Sequence, residues 1–255
     1  MYIIIILLII LLLNNYKRQT ISNMANINWS SPIQKYFDKI YVITLPQRKE
    51  YIENIMKNIN LNPIYFSAKL KNELDYNKLI NDNIVKRQFV KKKNYGRIAC
   101  HYSHISVLQN FLDSNAETCL IFEDDIRPIE NVTHLNDTFK NNISELPDDW
   151  DILYLGRCWD NCKKQTKISL NIYKLYTPKC RHAYAVTKKG AEIILKYSIP
   201  QYIAGDKIYA ELIKNNKLQA YGFSPQLFLQ NRENLGSTLG NINVLKECSS
   251  SSKLF

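Results

Sequence analysis

Three consecutive carboxylates, Glu123, Asp124 and Asp125, follow directly on the apolar run Thr118-Cys-Leu-Ile-Phe122. Like charges this close raise one another's pKa unless a cation relieves them. A divalent ion is the simplest relief. Oxygen donors of this kind suit Mg2+ or Mn2+, which bind through one or two carboxylates plus the phosphate oxygens of a substrate. As a bare tripeptide, the same residues also suit a solvated turn neutralised by Arg127 and nearby lysines. A second constellation is Gly96-Arg-Ile-Ala-Cys100-His101-Tyr-Ser103-His104, a glycine entering an amphipathic helix that carries two histidines. The free N–H groups of a helix start can receive a phosphate. His101 and His104 are three apart and could share a metal, although such a pair is more often ordinary surface or a satisfied core group.

These residues need elements to hold them, and the sequence alternates strand and helix around them. Lys39-Ile-Tyr-Val-Ile-Thr-Leu45 is a short apolar run stopped by Pro46, the pattern of a buried strand, and Arg48 to Ile59 then repeats apolar residues at helical spacing. Ile64 to Phe66 offers a second strand. Residues 69–93 are polar and weakly patterned, and the helix that Gly96 opens reaches about Leu112. Ile98, Tyr102, Ile105, Leu108 and Leu112 form its inward stripe. Further strands are expected at 118–122, 151–155 and 183–187, with helices near 188–197 and 206–215. This is an α/β arrangement of layers. Because ligands of open α/β sheets bind outside the carboxyl ends of the strands, the cluster after Phe122 is expected to line a crevice.

The 255 residues suffice for one such domain. With 45% hydrophobic and 22% charged residues, 7 Gly and 8 Pro, the chain is neither disordered, fibrous nor a disulfide miniprotein. The net charge of +11 invites an anionic partner, but the richness in Asn, Ile, Lys and Tyr, residues of A/T-rich codons, discounts it. Residues 3–13 are an unbroken aliphatic run followed by Lys17 and Arg18. At about 20 Å as a helix it is shorter than the roughly 30 Å hydrocarbon core, and it lacks the charged start and cleavage site of a standard signal. It reads as a short anchor or an atypical signal, with a mere hydrophobic tail as the third reading, so the protein is expected to be membrane-associated or in the secretory pathway, on a side of the membrane left open. A polar stem is expected over 14–38, a domain over 39–245 and a tail over 246–255.

Several of these segments together resemble glycosyltransferase family 25, which contains bacterial lipooligosaccharide galactosyltransferases and collagen galactosyltransferases. Ile40-Tyr-Val-Ile-Thr44-Leu45-Pro-Gln-Arg48 resembles its opening strand and Arg-bearing turn. Gly96 with Cys100, Ser103 and His104 resembles its G-x-x-x-C-x-x-S-H helix, and Leu120 to Asp125 its strand ending in Glu-Asp-Asp. His182 to Glu192, then Asp206 with Lys207, then Ser224-Pro225 with Gln230 and Ser237, follow in order. Two departures, Thr44-Leu45 where Asn-Leu is common and Lys69 near a usual Gly, fall on the uridine side.

The resemblance covers about residues 39–240. It implies a single GT-A-type domain, a mixed central sheet flanked by helices, that binds a nucleotide sugar. The donor would be a UDP-sugar, and Mn2+ or Mg2+ would be held by Asp125 with Glu123 or Asp124. Thr44, Leu45, Arg48, Gly96, Cys100, Ser103, His104 and Gln230 would contact the donor. The acceptor would be a hydroxyl on a glycan or protein. Asp206 is the candidate base for an inverting attack; its competing reading is a helix N-cap.

Other readings are weaker. Cys158, Cys162, Cys180 and His182 lack a standard zinc spacing. A disulfide from Cys158 to Cys162, or from either to Cys180, is expected in an oxidising lumen. The four N-x-S/T sequons are about what chance gives in a chain this rich in Asn. A nucleic-acid or membrane-surface module built on Lys86, Arg87, Lys91, Lys92, Lys93 and Arg97 would have only Phe89 and Tyr95 as stacking platforms, so no nucleic-acid partner is expected. A UDP-sugar-binding pseudoenzyme stays open, because fold does not settle function.

Overall fold

A computed structural model describes residues 31–236, which are built around one eight-stranded sheet. Its strands are β1 (Lys39–Thr44), β2 (Ile64–Ser67), β3 (Thr118–Glu123), β5 (Ile152–Gly156), β6 (Thr166–Lys167), β7 (Ile172–Lys174), β8 (Ala183–Thr187) and β9 (Ala220–Phe223), in the order β2-β1-β3-β8-β5-β9-β7-β6. A small antiparallel pair, β4 (Ile126–Pro128) with β10 (Phe228–Gln230), stands beside it. β1 pairs parallel with β2 and β3, whereas β8 runs antiparallel between β3 and β5. The sheet is therefore mixed, as the family resemblance implies.

The helices are α1 (Pro32–Tyr36), α2 (Lys49–Asn58), α3 (Tyr76–Asn81), α4 (Arg87–Lys91), α5 (Tyr95–Leu112), α6 (Val132–Ile143), α7 (Lys188–Ser198), α8 (Gly205–Lys214) and α9 (Arg232–Leu235). They flank the sheet over two apolar layers that follow the strand period of two. Leu120 and Phe122 of β3 enter one layer with Ile52 and Met56 of α2, while Cys119 and Ile121 enter the other with Ile105, Leu108 and Phe111 of α5. This alternation decides where the carboxylates after Phe122 point.

The expected stem is corrected at its end. Ser31 caps α1 by accepting from the Ile33 N–H, Pro32 supplies a preorganised first residue, and Ile33 and Phe37 are buried in the core beside Phe139. Residues 31–38, expected as stem, are thus part of the folded domain. The weakly patterned stretch 69–93 holds α3 and α4, whose Leu79, Val85 and Phe89 form a small core of their own with Ile98. Asp75 caps α3 from its side chain. The inward stripe of α5 is also broader than the spacing predicts. Ile98, Ile105 and Leu108 are buried, but so are His101, Ser103 and His104, because α5 is covered by α7 and α8 as well as by the sheet. The expected anchor at 3–13, most of the stem, the tail and Ser237 lie outside the described residues. Among the described residues no helix is long and apolar enough to cross a membrane.

Candidate active site

The three carboxylates emerge at the carboxyl end of β3, a strand parallel to β1 on one side and antiparallel to β8 on the other. They do not converge on one point. Glu123 is the next residue of the layer containing Ile121, so its side chain goes to the α5 side, where Oε1 lies 3.0 Å from His104 Nε2. Asp124 goes the other way. Its Oδ1 accepts from Arg48 Nη1 at 3.0 Å and its Oδ2 from the Leu45 N–H at 2.6 Å, fastening the end of β1 to the end of β3.

Asp125 has a different setting. Gln230 Nε2 donates to its Oδ2 at 3.0 Å, and the nearest cation, Arg48 Nη1, stands 3.9 Å away. Arg232 Nη2 donates to Gln230 Oε1 at 2.6 Å, which fixes the amide so that its NH2 faces Asp125. Burial, and then the charge of Glu123, push the Asp125 carboxyl up to about 7. The Glu123 carboxyl is also raised, chiefly by burial, with the Arg181 guanidinium opposing the shift. The Arg48 charge is thus shared unequally, and Asp125, the less closely paired acid, holds its proton to higher pH.

Behind Glu123 lies a buried polar layer. His104 Nδ1 is 3.0 Å from the Tyr184 hydroxyl, and burial, followed by the nearby Arg181 charge, holds the imidazole well below its usual pKa. His101 turns to a different partner, Arg181 Nη1 at 3.1 Å, so the two histidines do not face a common point. Arg181 also sits over the Tyr209 ring, 4.8 Å from its centroid, and places Nη2 3.9 Å from Cys100 Sγ. Burial pushes the Cys100 thiol up to about 12.

Asp206 is not the N-cap of α8. That position is Ala204, and Asp206 is the second helical residue, accepting from the Cys180 N–H through Oδ2 at 3.3 Å. Cys180 is disulfide-bonded to Cys158, one of the expected pairings, which removes both from any zinc site. Arg232 Nη2 lies 3.6 and 3.8 Å from the two disulfide sulfurs. Asp206 and Asp125 are therefore joined by a short path of contacts through Cys180, Arg232 and Gln230. Gly205 makes the approach of α8 possible, since a Cβ there would stand 2.3 Å from His101 Nδ1 and 2.7 Å from Arg181 Nη2.

Of the other residues expected to contact the donor, Leu45 donates its N–H to Asp124, and the Thr44 hydroxyl donates to the Leu45 carbonyl. Ser103 is buried, donates to the Ala99 carbonyl and accepts from the Lys69 N–H at 2.8 Å, so it secures the loop after β2. Gly96 lies in the first turn of α5, a turn before Cys100. Sequence reasoning passed over Arg181, Tyr184 and Arg232. A charged residue leading into the apolar strand Ala183–Thr187 was the available signal for Arg181.

The family described as "Glycosyltransferase family 25 (LPS biosynthesis protein)" matches residues 37–209, from the start of β1 through the Asp206 turn. The chain belongs to glycosyltransferase family 25. Among relatives of this family 25 chain, procollagen galactosyltransferase 2 of Homo sapiens is 24% identical over 189 residues, 66% of the chain and 30% of that protein. A probable inactive glycosyltransferase 25 family member 3 of Rattus norvegicus is 24% identical over 168 residues, 57% of the chain and 28% of that protein. The chain thus spans less than a third of the length of these relatives. Among solved structures, it is similar to a glycosyltransferase involved in the glycosylation of the major capsid of PBCV-1, with a TM-score of 0.43 and 12% identity over 79% of the chain and 94% of the other.

Proposed function

We propose that the chain transfers a hexose, galactose or glucose, from a UDP-sugar to a hydroxyl of a glycan or protein acceptor, with inversion. The observation that carries the reading is the charge imbalance at Asp125, a carboxyl only 8% exposed, lifted to about 7, and paired with Arg48 only at 3.9 Å, whereas Asp124 holds the same guanidinium at 3.0 Å. Such a group fits a divalent cation, Mn2+ or Mg2+, that Asp125 would hold, since Asp124 is committed to Arg48 and Glu123 faces His104. When bound, that ion supplies positive charge for the leaving diphosphate. The name of the human relative favours galactose.

The chain's own residues divide the remaining work. Arg48, pinned by Asp124, keeps the ends of β1 and β3 in register, so that Thr44 and Leu45 present backbone to the uridine side. Gln230, oriented by Arg232, holds Asp125 in place. Asp206 takes the proton of the acceptor hydroxyl as its oxygen forms the new bond to the anomeric carbon, and the old bond's electron pair leaves with UDP. Preorganised charge and a positioned base are the two contributions such a displacement needs.

Asp125→Ala is expected to abolish transfer while the variant keeps the circular-dichroism spectrum and cooperative unfolding of the parent protein. Normal transfer by that variant overturns the assignment. A second reading is kept by the relatives described as inactive, namely a protein that binds UDP-sugars and transfers nothing. In that case UDP-sugars raise the melting temperature and none is consumed with any acceptor.

A further inference from the structure

The side of β3 that faces away from Asp124 carries a second, chemically different set of donors. Cys100 and His104 are four residues apart on α5, and that spacing puts both on one face of the helix. Glu123 arrives opposite them from the end of β3. Cys100 Sγ, a His104 nitrogen and a Glu123 carboxylate oxygen all lie within 4.8 Å of one another. Zinc bond lengths of about 2.0–2.3 Å separate tetrahedral donors by roughly 3.3–3.6 Å. His104 Nε2 and Glu123 Oε1 are already 3.0 Å apart, and Cys100 Sγ stands within 4.8 Å of the other two donors.

The groups around these donors are arranged as outer partners of a metal site are. The Tyr184 hydroxyl engages His104 Nδ1 at 3.0 Å, which turns Nε2 toward Glu123. Arg181 Nη2 stands 3.9 Å from Cys100 Sγ, where it can steady a thiolate. The donors are not sealed from solvent, since the Glu123 side chain is 23% exposed and Cys100 is partly exposed. Two anionic donors and one neutral imidazole balance a divalent charge.

We propose that Cys100, His104 and Glu123 bind a borderline-soft divalent cation, zinc in the first instance, at a site separate from the hard-ion position at Asp125. Three protein ligands leave a fourth position for water, and binding releases the thiol proton to solvent. The proposal does not rest on glycosyl transfer. A thiolate and imidazole set prefers zinc or cobalt to manganese, so Mn2+ should not displace the ion.

The test is a titration of the full chain with Co2+, without any donor sugar, read by the near-ultraviolet thiolate-to-cobalt charge-transfer band. One equivalent of cobalt should produce the band, zinc should abolish it, a large excess of Mn2+ should not, and Cys100→Ser should lack it. Cys119, the other free thiol among the described residues, is fully buried in the core and cannot substitute. His104→Gln should weaken cobalt binding by about 10-fold or more. Absence of the band, or an unchanged band in Cys100→Ser, overturns the proposal. If that variant does not fold, the native protein still decides: zinc should slow the reaction of Cys100 with an aromatic disulfide reagent at least 10-fold, and an unchanged rate counts against the site. Donor consumption with Mn2+ is a separate readout, so either result can fail without the other.

Discussion

Arg48 and Asp124 form a buried ion pair, Nη1 to Oδ1 at 3.0 Å with both side chains less than a tenth exposed, and the pair draws Asp124 away from its neighbours on either side. Three adjacent acids thereby acquire three environments. Asp124 is structural, Glu123 faces the helix, and Asp125 keeps the unbalanced charge.

Removing one member of a buried pair strands the other. Arg48→Ala should therefore lower unfolding free energy by about 3–5 kcal/mol, measured by urea denaturation. Part of that loss also reflects the Arg48 Nη2 bond to the Leu235 carbonyl, which ties α9 to the site. A loss below 1 kcal/mol would mean the pair does not organise the end of the sheet.

The raised Asp125 carboxyl has a signed consequence for stability. Its ordinary pKa is 3.8 and its folded value about 7, so between these limits the folded protein holds a proton that the unfolded chain has released. Stability contributed by that proton is present below pH 3.8 and is lost as pH rises through 7. Asp125→Asn lacks this loss. In metal-free buffer the variant should gain on the parent protein from pH 4 to pH 8, by about 2–4 kcal/mol at the upper end. Mn2+ at pH 8 should stabilise the parent and leave the variant unchanged. Parallel pH profiles of the two melting temperatures would contradict the charge imbalance.

Much of this arrangement was legible in the sequence. The apolar strand Thr118–Phe122, its acidic end and the long helix ending at Leu112 follow from period and punctuation alone. The divergence of the three acids was hidden, because it depends on which face of β3 each residue continues and on a cation, Arg48, arriving from 76 positions earlier. The short helices within 69–93 were missed because each buries only one or two apolar residues, too few for a repeat to register. The membership of Ile33 and Phe37 in the core was missed for the same reason.

Asp206 is assigned the proton, and its substitution should separate chemistry from binding. Asp206→Asn should lower kcat by about 10²–10⁴-fold, with the KM for donor changed less than threefold and the melting temperature nearly constant. An unchanged kcat would return Asp206 to a purely structural role beside the Cys180 N–H.

Gly205 gives a complementary test through backbone placement. A Cβ at this position meets the rings and guanidinium of His101 and Arg181 at less than 3 Å. Gly205→Ala should cost about 1–3 kcal/mol and also reduce transfer, since Asp206 moves with the helix start. Full stability and full activity in this variant would show that α8 need not sit so close.

A divalent cation at Asp125 that serves a UDP-sugar donor makes donor consumption metal-dependent. The most direct measurement is consumption of each member of a UDP-sugar panel by the full chain with Mn2+, repeated after EDTA. One hexose donor should be consumed, with consumption lost in EDTA and restored by added Mn2+. Neither consumption nor a rise in melting temperature with any UDP-sugar would contradict this.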